Sequence, residues 1–290
     1  MPAKQNSRRK AGRTSSRRPA SDASTKRLGY IIAILVAVAV TYLISSARKQ
    51  NAPDVNFEGS LEAVVTNPEL PEQLLAYKGM TVSFNPSTHQ PNWVAWELLA
   101  SETDGESGRE SNFTTDTSVE GCATTADYRG SGYDRGHMAP AGDMKWSPET
   151  MRESFLLTNI CPQAGDLNRG AWKKLEEKCR QRAVADSALV IVCGPIFTPG
   201  EGVERIGATG VAVPRQFFKV VLSPYTNPPV AIGFIMPNGY VKGGMQACAV
   251  SVDSVESLTG HDFFSALPDD VEATVEAQCN FDRWSRIRRK

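Results

Sequence analysis

The chain has 290 residues, length enough for one or two domains with a substantial core. Its 32 basic and 32 acidic residues cancel, but residues 1–27 carry nine Lys/Arg against Asp22 alone, while residues 48–290 carry 23 basic against 31 acidic groups. The basic segment is Ser/Ala-rich and almost free of apolar residues, which excludes an independently folded unit there.

In chain order, residues 1–27 read as a basic cytoplasmic tail. Leu28 to Ile44 (LGYIIAILVAVAVTYLI) follows as 17 uncharged residues between Arg27 and Arg48-Lys49, with Tyr30 and Tyr42 near its ends. A run of this kind predicts a short transmembrane anchor, and the positive excess before it keeps the N-terminus in the cytoplasm and exports the rest. The expected location is therefore a membrane-anchored catalytic domain on the periplasmic or extracellular side. Cleavage at Ser45-Ser46-Ala47 to give a secreted form is the alternative, disfavoured because 27 residues make a long n-region. Residues 45–78, polar and interrupted by Pro53, Pro68 and Pro71, read as a linker. The domain is expected over residues 79–290.

All six cysteines (Cys122, Cys161, Cys179, Cys193, Cys248, Cys279) lie beyond the span, which predicts disulfides of undetermined pairing. Cys193, inside an apolar run, is the candidate for a buried free thiol. With no C-x-x-C, a zinc ribbon or thioredoxin-type site is unsupported.

Within the domain, Met80–Asn85 and Trp93–Leu99 predict two strands of a hairpin. Residues 101–131 read as a polar surface excursion, followed by a glycine-punctuated turn carrying Asp134, Arg135 and His137. Ser147-Pro148 predicts a helix with Ser147 as N-cap and Pro148 at the first position. Phe155–Ile160 predicts a strand, and Ala171–Arg182 a helix with Asn168 at its start. Leu189–Cys193, Phe217–Leu222 and Val230–Met236 predict further strands. Ser254–Leu258, His261–Leu267 and Val271–Cys279 predict short helices. Without regular βαβ alternation, the fold class is α+β with a central, mainly antiparallel sheet flanked by helices.

His137 is one of three histidines, and an imidazole titrating at about 6.5 is the natural proton acceptor at neutral pH. Arg135 beside it offers a planar fork for phosphate oxygens. Asn168, Trp172 and Glu176 recur every four residues along one helical face. An amide oxygen at Asn168 with a carboxylate at Glu176 suits Mg²⁺, which takes few protein oxygens and keeps its waters. Between Arg129 and Arg182, ten Lys/Arg outnumber seven Asp/Glu, against the acidic trend of the domain. Arg169, with Arg129, Lys145 and Lys173, is a further candidate for phosphate contact. His89 and His261 read as structural, and Trp172 as core.

Three segments, Asp127–Met144 (DYRGSGYDRGHMAPAGDM), Thr158–Gln163 (TNICPQ) and Leu167–Glu176 (LNRGAWKKLE), resemble the DNA/RNA non-specific endonucleases of the ββα-metal, or His-Me finger, fold, the endonuclease G-like group. Weaker resemblance runs on through Ser251–Leu267, so that it covers nearly all of residues 79–267. The resemblance implies an endonuclease hydrolysing DNA and RNA with little sequence preference. It implies His137 as general base, Arg135 on the phosphate and Asn159 in a supporting role in the catalytic set. Asn168 would be the direct ligand of a hydrated Mg²⁺, with Mn²⁺ as the alternative, and Glu176 would hold the metal's waters. Members often carry another phosphate-binding arginine just before a Phe/Trp-x-x-Asp stretch; here Phe113–Asp116 matches the stretch, Ser111 stands at the arginine position, and Arg109 is the nearest substitute. Two alternatives remain: a nucleic-acid-binding surface protein with impaired catalysis, and a narrower phosphodiesterase or nucleotidase. A homodimer is compatible with the sequence.

Overall fold

Four long apolar strands, buried on both faces, decide the architecture. The computed structural model describes residues 59–198 and 202–287. In chain order the strands are β1 (Val64–Val65), β2 (Gln73–Ala76), β3 (Thr81–Asn85), β4 (Gln90–Leu99), β5 (Asp134–His137), β6 (Ile160–Gln163), β7 (Ala188–Ile196), β8 (Arg205–Ile206), β9 (Val211–Ala212), β10 (Gln216–Ser223), β11 (Val230–Pro237), β12 (Ala249–Val250) and β13 (Asp262–Phe263). The helices are α1 (Pro148–Ser154), α2 (Lys173–Asp186), α3 (Val252–Thr259), α4 (Asp269–Glu276) and α5 (Phe281–Ser285). Seven strands form one sheet in the order β12-β11-β10-β7-β4-β3-β2, with every pairing antiparallel.

Side chains two residues apart share a face of a strand, so each central strand feeds two cores. Val94, Trp96 and Leu98 of β4, Leu189, Ile191 and Cys193 of β7, and Phe217 and Val221 of β10 enter one core. There they meet Trp172, Leu175 and Cys179 and the segment around Met138 and Ile160. Trp93 and Ala95, Val190 and Val192, and Phe218, Val220 and Leu222 enter the other, against Val252, Val255, Phe263 and Val275. The sheet thus separates a layer containing β5, β6 and α2 from a layer containing α3, β13 and α4.

Local chemistry sets the boundaries near the candidate site. Ser147 caps α1 by accepting from the Glu149 N–H at 3.2 Å, with Pro148 at the first helical position. Ser251 caps α3 in the same way, and Gly260, at φ +72°, ends it in the left-handed conformation.

Several expectations are corrected. Residues 64–65 and 73–76 are paired strands rather than linker, because Leu75 and Val64 pack on the two cores; the folded part begins well before residue 79. Phe155–Ile160 is not one strand: Phe155 closes α1, Leu157–Asn159 makes a tight helical turn, and β6 starts at Ile160. Where a helix was expected over His261–Leu267, β13 pairs with β1 instead. The cysteines are all free; five are buried and Cys279 is exposed, so the expected disulfides are replaced by thiols packed as small apolar groups, as anticipated for Cys193 alone. The 28–44 span and the 1–27 tail lie outside the described residues. Among the described residues, no helix is long and apolar enough to cross a membrane.

His261 ties the two ends of the fold together. Its Nδ1 accepts from the Asn67 N–H at 3.1 Å, and Asn67 Nδ2 donates to the Thr259 carbonyl at 3.0 Å. Burial pushes the imidazole pKa down to about 4. Between that value and the unfolded pKa of about 6.5, the unfolded chain binds the extra proton. The stability held by neutral His261 is therefore fully present above about pH 6.5 and lost as pH falls toward 4, up to about 3 kcal/mol. Denaturant unfolding from pH 4 to 7 should show a shallower acid slope for His261→Asn, whose amide oxygen keeps an acceptor near Asn67, than for the wild type; equal slopes would refute this.

Candidate active site

β5 and β6 form an antiparallel pair that aligns Asp134 with Gln163 and His137 with Ile160, and α2 follows after a wide helical turn over Leu167–Trp172 that kinks at Gly170. The expected turn around Gly136 is therefore a strand. Gly136 is needed for close approach instead, since a Cβ there would run into the Gln163 side chain.

His137 ends β5 with its ring between two phenylalanines, 5.2 Å from Phe113 and 4.8 Å edge-on from Phe155. Its Nε2 is buried and has no hydrogen-bond partner in the protein. Ring packing therefore sets the imidazole's orientation. Burial, and after it the positive charge of Arg109, pushes the pKa down to about 3, so the ring is neutral at ordinary pH.

The backbone around His137 is clamped. Trp172 Nε1 donates to the His137 carbonyl at 3.3 Å, Cys193 Sγ donates to the Met138 carbonyl at 3.3 Å, and the Met138 N–H donates to the Asn159 carbonyl at 3.0 Å. Asn159 is fully buried, and its amide is used up on main chain: Oδ1 accepts from the Ala139 N–H at 2.9 Å, and Nδ2 donates to the carbonyls of Ala139 at 2.9 Å and Ser154 at 2.8 Å. It is a positioning residue, with no group left to touch substrate. Asn159→Ala strands these buried backbone groups, each worth about 1–3 kcal/mol when left unpaired. It should lower the unfolding temperature and kcat together. A drop in kcat at unchanged stability would instead argue for direct contact with substrate.

Asn168 lies inside the wide turn rather than capping α2. Its Nδ2 donates to Asp134 Oδ2 at 3.1 Å, which fixes the amide orientation and leaves Oδ1 as its acceptor. Asp134 also receives Arg169, from Nε at 2.8 Å and NH2 at 2.6 Å. That pairing, then the Asn168 bond, holds the Asp134 carboxyl below its usual range although burial opposes this. Arg169 is 74% exposed with its fork turned onto Asp134, so phosphate contact is left to its remaining donors.

Glu176, on the first turn of α2, has its pKa raised to about 7 by burial, against the pull of Lys219. Arg180, one turn further along α2, bonds Asp143 at 2.7 Å, and Asp143 also accepts from Trp96 Nε1 at 3.1 Å. Lys219 is 1% exposed, with its ammonium 4.6 Å from the Trp172 ring and 4.8 Å from the Trp96 ring. A buried cation stacked on indoles still needs a nearby anion, and Glu176 and Asp143 supply it. The sequence reading missed Lys219. Its signal was a lysine inside the apolar run Phe217–Leu222, on the same strand face as the core residues Phe217 and Val221.

The arginines converge from separate segments. Arg135 lies over the Phe113 ring at 4.9 Å and Arg109 over the Phe155 ring at 5.2 Å, the same two rings that flank His137. Ser111 is exposed, with its backbone N–H donating to Glu110 Oε1 at 2.9 Å, so Arg109 brings the charge to where the sequence left a gap. Phe113 is fixed by its neighbour: the Thr114 N–H donates to the Phe155 carbonyl at 3.0 Å, and Thr114 takes the Leu157 N–H at 2.9 Å.

Two paired strands and a helix, with a neutral histidine, two arginines, an oriented asparagine and a half-buried glutamate, make a ββα finger suited to phosphodiester chemistry. The sequence model for DNA/RNA non-specific endonucleases matches residues 58–270. A nuclease of Nostoc sp. is 34% identical over 222 residues, covering 72% of this chain and 79% of that protein. Human mitochondrial endonuclease G is 33% identical over 202 residues, covering 65% of this chain and 68% of its own. Mouse mitochondrial nuclease EXOG is 34% identical over 223 residues, covering 71% of this chain but only 60% of its own length. The crystal structure of an EndoG/EndoGI complex superposes with a TM-score of 0.65 at 28% identity, covering 76% of this chain and 93% of the matched one. The chain belongs to the DNA/RNA non-specific endonuclease family, and it is a nuclease.

Proposed function

We propose that this nuclease hydrolyses DNA and RNA internally by metal-assisted attack of water on phosphorus. The observation that carries the reading is the imidazole of His137, its Nε2 buried and without a hydrogen-bond partner and its backbone anchored through Trp172 to the turn that presents Asn168. His137 takes the proton from the attacking water. Arg135 and Arg109 bind the phosphate oxygens from the two sides of the histidine. Phosphate binding cancels the Arg109 charge that depresses the imidazole, so the base strengthens as substrate arrives.

The donor set fits a hard divalent cation: Asn168 Oδ1 is aimed by Asp134 and Glu176 is a carboxylate held beside Lys219, a sparse oxygen set of the kind Mg²⁺ or Mn²⁺ accepts. When bound, such an ion supplies positive charge to the transferring phosphoryl group and to the leaving oxygen. Asp134 keeps the Asn168 amide in register. Lys219 favours the ionised form of Glu176.

The protein should nick and degrade plasmid and RNA in Mg²⁺ or Mn²⁺ and stop on chelation. Binding without cleavage across divalent metals would overturn the reading in favour of a catalytically impaired binding protein. Hydrolysis of small phosphodiesters without cleavage of polymers would point to the narrower enzyme. The full chain is proposed to be anchored through residues 28–44 with the domain exported; fractionation followed by protease treatment of intact cells tests this, and a protected soluble domain would refute it.

A further inference from the structure

On the face of the sheet opposite His137, three carboxylates meet without a cationic partner. Asp253 and Glu256 project from α3 and Glu276 ends α4, and one oxygen from each lies within 4.8 Å of the others. Glu276 is 4% exposed, and its Oε1 is buried with no hydrogen-bond partner. Glu256 is oriented by the Phe263 N–H, which donates to its Oε1 at 2.9 Å. Among the described residues, no Lys or Arg forms an ion pair with any of the three. Glu272 and Asp262 stand close enough to add to the negative field.

Each of these features is unfavourable in the bare protein. A buried carboxylate without a partner carries a desolvation cost, like charges this close repel, and the C-terminal end of a helix is the wrong end for an anion. One bound cation would reverse all three. Oxygens sharing a Ca²⁺ at about 2.3–2.6 Å lie at most about 4.6–5.2 Å apart, while those sharing Mg²⁺ at about 2.0–2.1 Å lie at most about 4.2 Å apart. The three oxygens, all within 4.8 Å of one another, can share either ion, but an irregular carboxylate set completed by water suits the flexible, many-coordinate shell of Ca²⁺ better than the strict octahedron of Mg²⁺.

We propose that Asp253, Glu256 and Glu276 bind Ca²⁺ and that this second site clamps α4 onto α3, apart from the catalytic centre. Glu276 and Glu256 supply the inner carboxylates, Asp253 closes the outer side, and water fills the remaining positions. The site lies between helices whose apolar faces (Val252, Val255, Val275) share one core, so its occupancy acts on stability.

The test is thermal unfolding of the full chain carrying Asn168→Ala, which weakens metal binding at the candidate active site. Ca²⁺ titrated through about 0.1–1 mM should raise the unfolding temperature saturably, by about 5–10 °C at a hundredfold excess over Kd. Adding Glu276→Gln or Glu256→Gln should abolish the shift, and the exposed Asp253→Asn should weaken it. The proposal is overturned by no shift with Ca²⁺, by an equal shift in the Glu276→Gln protein, or by an equal shift with Mg²⁺. It is also overturned if Glu276→Gln itself stabilises the protein while Ca²⁺ does nothing, since the carboxylates would then share a proton rather than a metal.

Discussion

Replacing His137 with alanine is expected to lower cleavage of plasmid and RNA by at least about 10²–10⁴-fold, the range for loss of a general acid–base group. Arg135, Arg109, Asn168 and Glu176 would all remain. The ring is held by Phe113 and Phe155 rather than by hydrogen bonds, so its removal leaves a small cavity and no newly orphaned polar group. Free imidazole should restore part of the activity by entering that cavity, an effect a purely structural histidine would not show. The pH profile gives an independent check. With the free-protein pKa near 3, His137 stays unprotonated through the weakly acid range, so kcat/KM should show no limb at the ordinary histidine value. Removing the Arg109 charge should raise the His137 pKa. Full activity in His137→Ala would remove the histidine from the mechanism proposed above, and a His137 pKa unmoved by Arg109→Gln would remove the proposed strengthening of the base by phosphate binding.

How much of this could be read beforehand follows from what each signal measures. The Asp134–His137 and Leu167–Glu176 segments were legible because one short stretch of chain carries the groups and their spacing. The central strands were legible because their apolar runs are long. Where a run was short, the signal failed. Phe155–Ile160 has strand-forming composition, yet its first residue closes α1 and packs under His137. Strands as short as Val64–Val65 are too brief to show alternation, and the prolines around them look the same in a linker. The even cysteine count suggested oxidation, whereas burial, which the count does not report, explains five of the thiols. Arg109 was legible as the charge nearest the Phe113–Asp116 stretch, but its stacking on Phe155 beside His137 shows only in tertiary packing. Lys219 reaches the site from a central strand, an arrival no local motif registers, though the charge inside the Phe217–Leu222 run should have raised the question. Asn159 shows the opposite limit: the motif placed it at the site, and only its hydrogen bonds reveal that it supports main chain.

Asn168 carries the other large effect. Asn168→Ala removes the proposed metal ligand and the group that Asp134 orients. It should lower kcat by at least about 10²-fold and raise the Mg²⁺ concentration needed for half-maximal rate. Asn168→Asp discriminates further. A carboxylate binds a hard cation better than an amide in isolation, so considered alone the substitution should be mild. Here the new carboxylate would face Asp134 Oδ2, which now accepts from Asn168 Nδ2 at 3.1 Å. Two like charges at that distance repel, and Arg169, 74% exposed, screens them only in part. The Asp side chain should therefore turn away, and activity should fall well below wild type at ordinary Mg²⁺ and recover partly as the metal is raised. Adding Asp134→Asn to Asn168→Asp restores a donor opposite the new carboxylate and should recover more activity than added metal does. If Asn168→Asp were as active as the wild type, the Asp134 contact would not be what aims the ligand. If Asn168→Ala kept its metal dependence unchanged, Asn168 would not be the ligand.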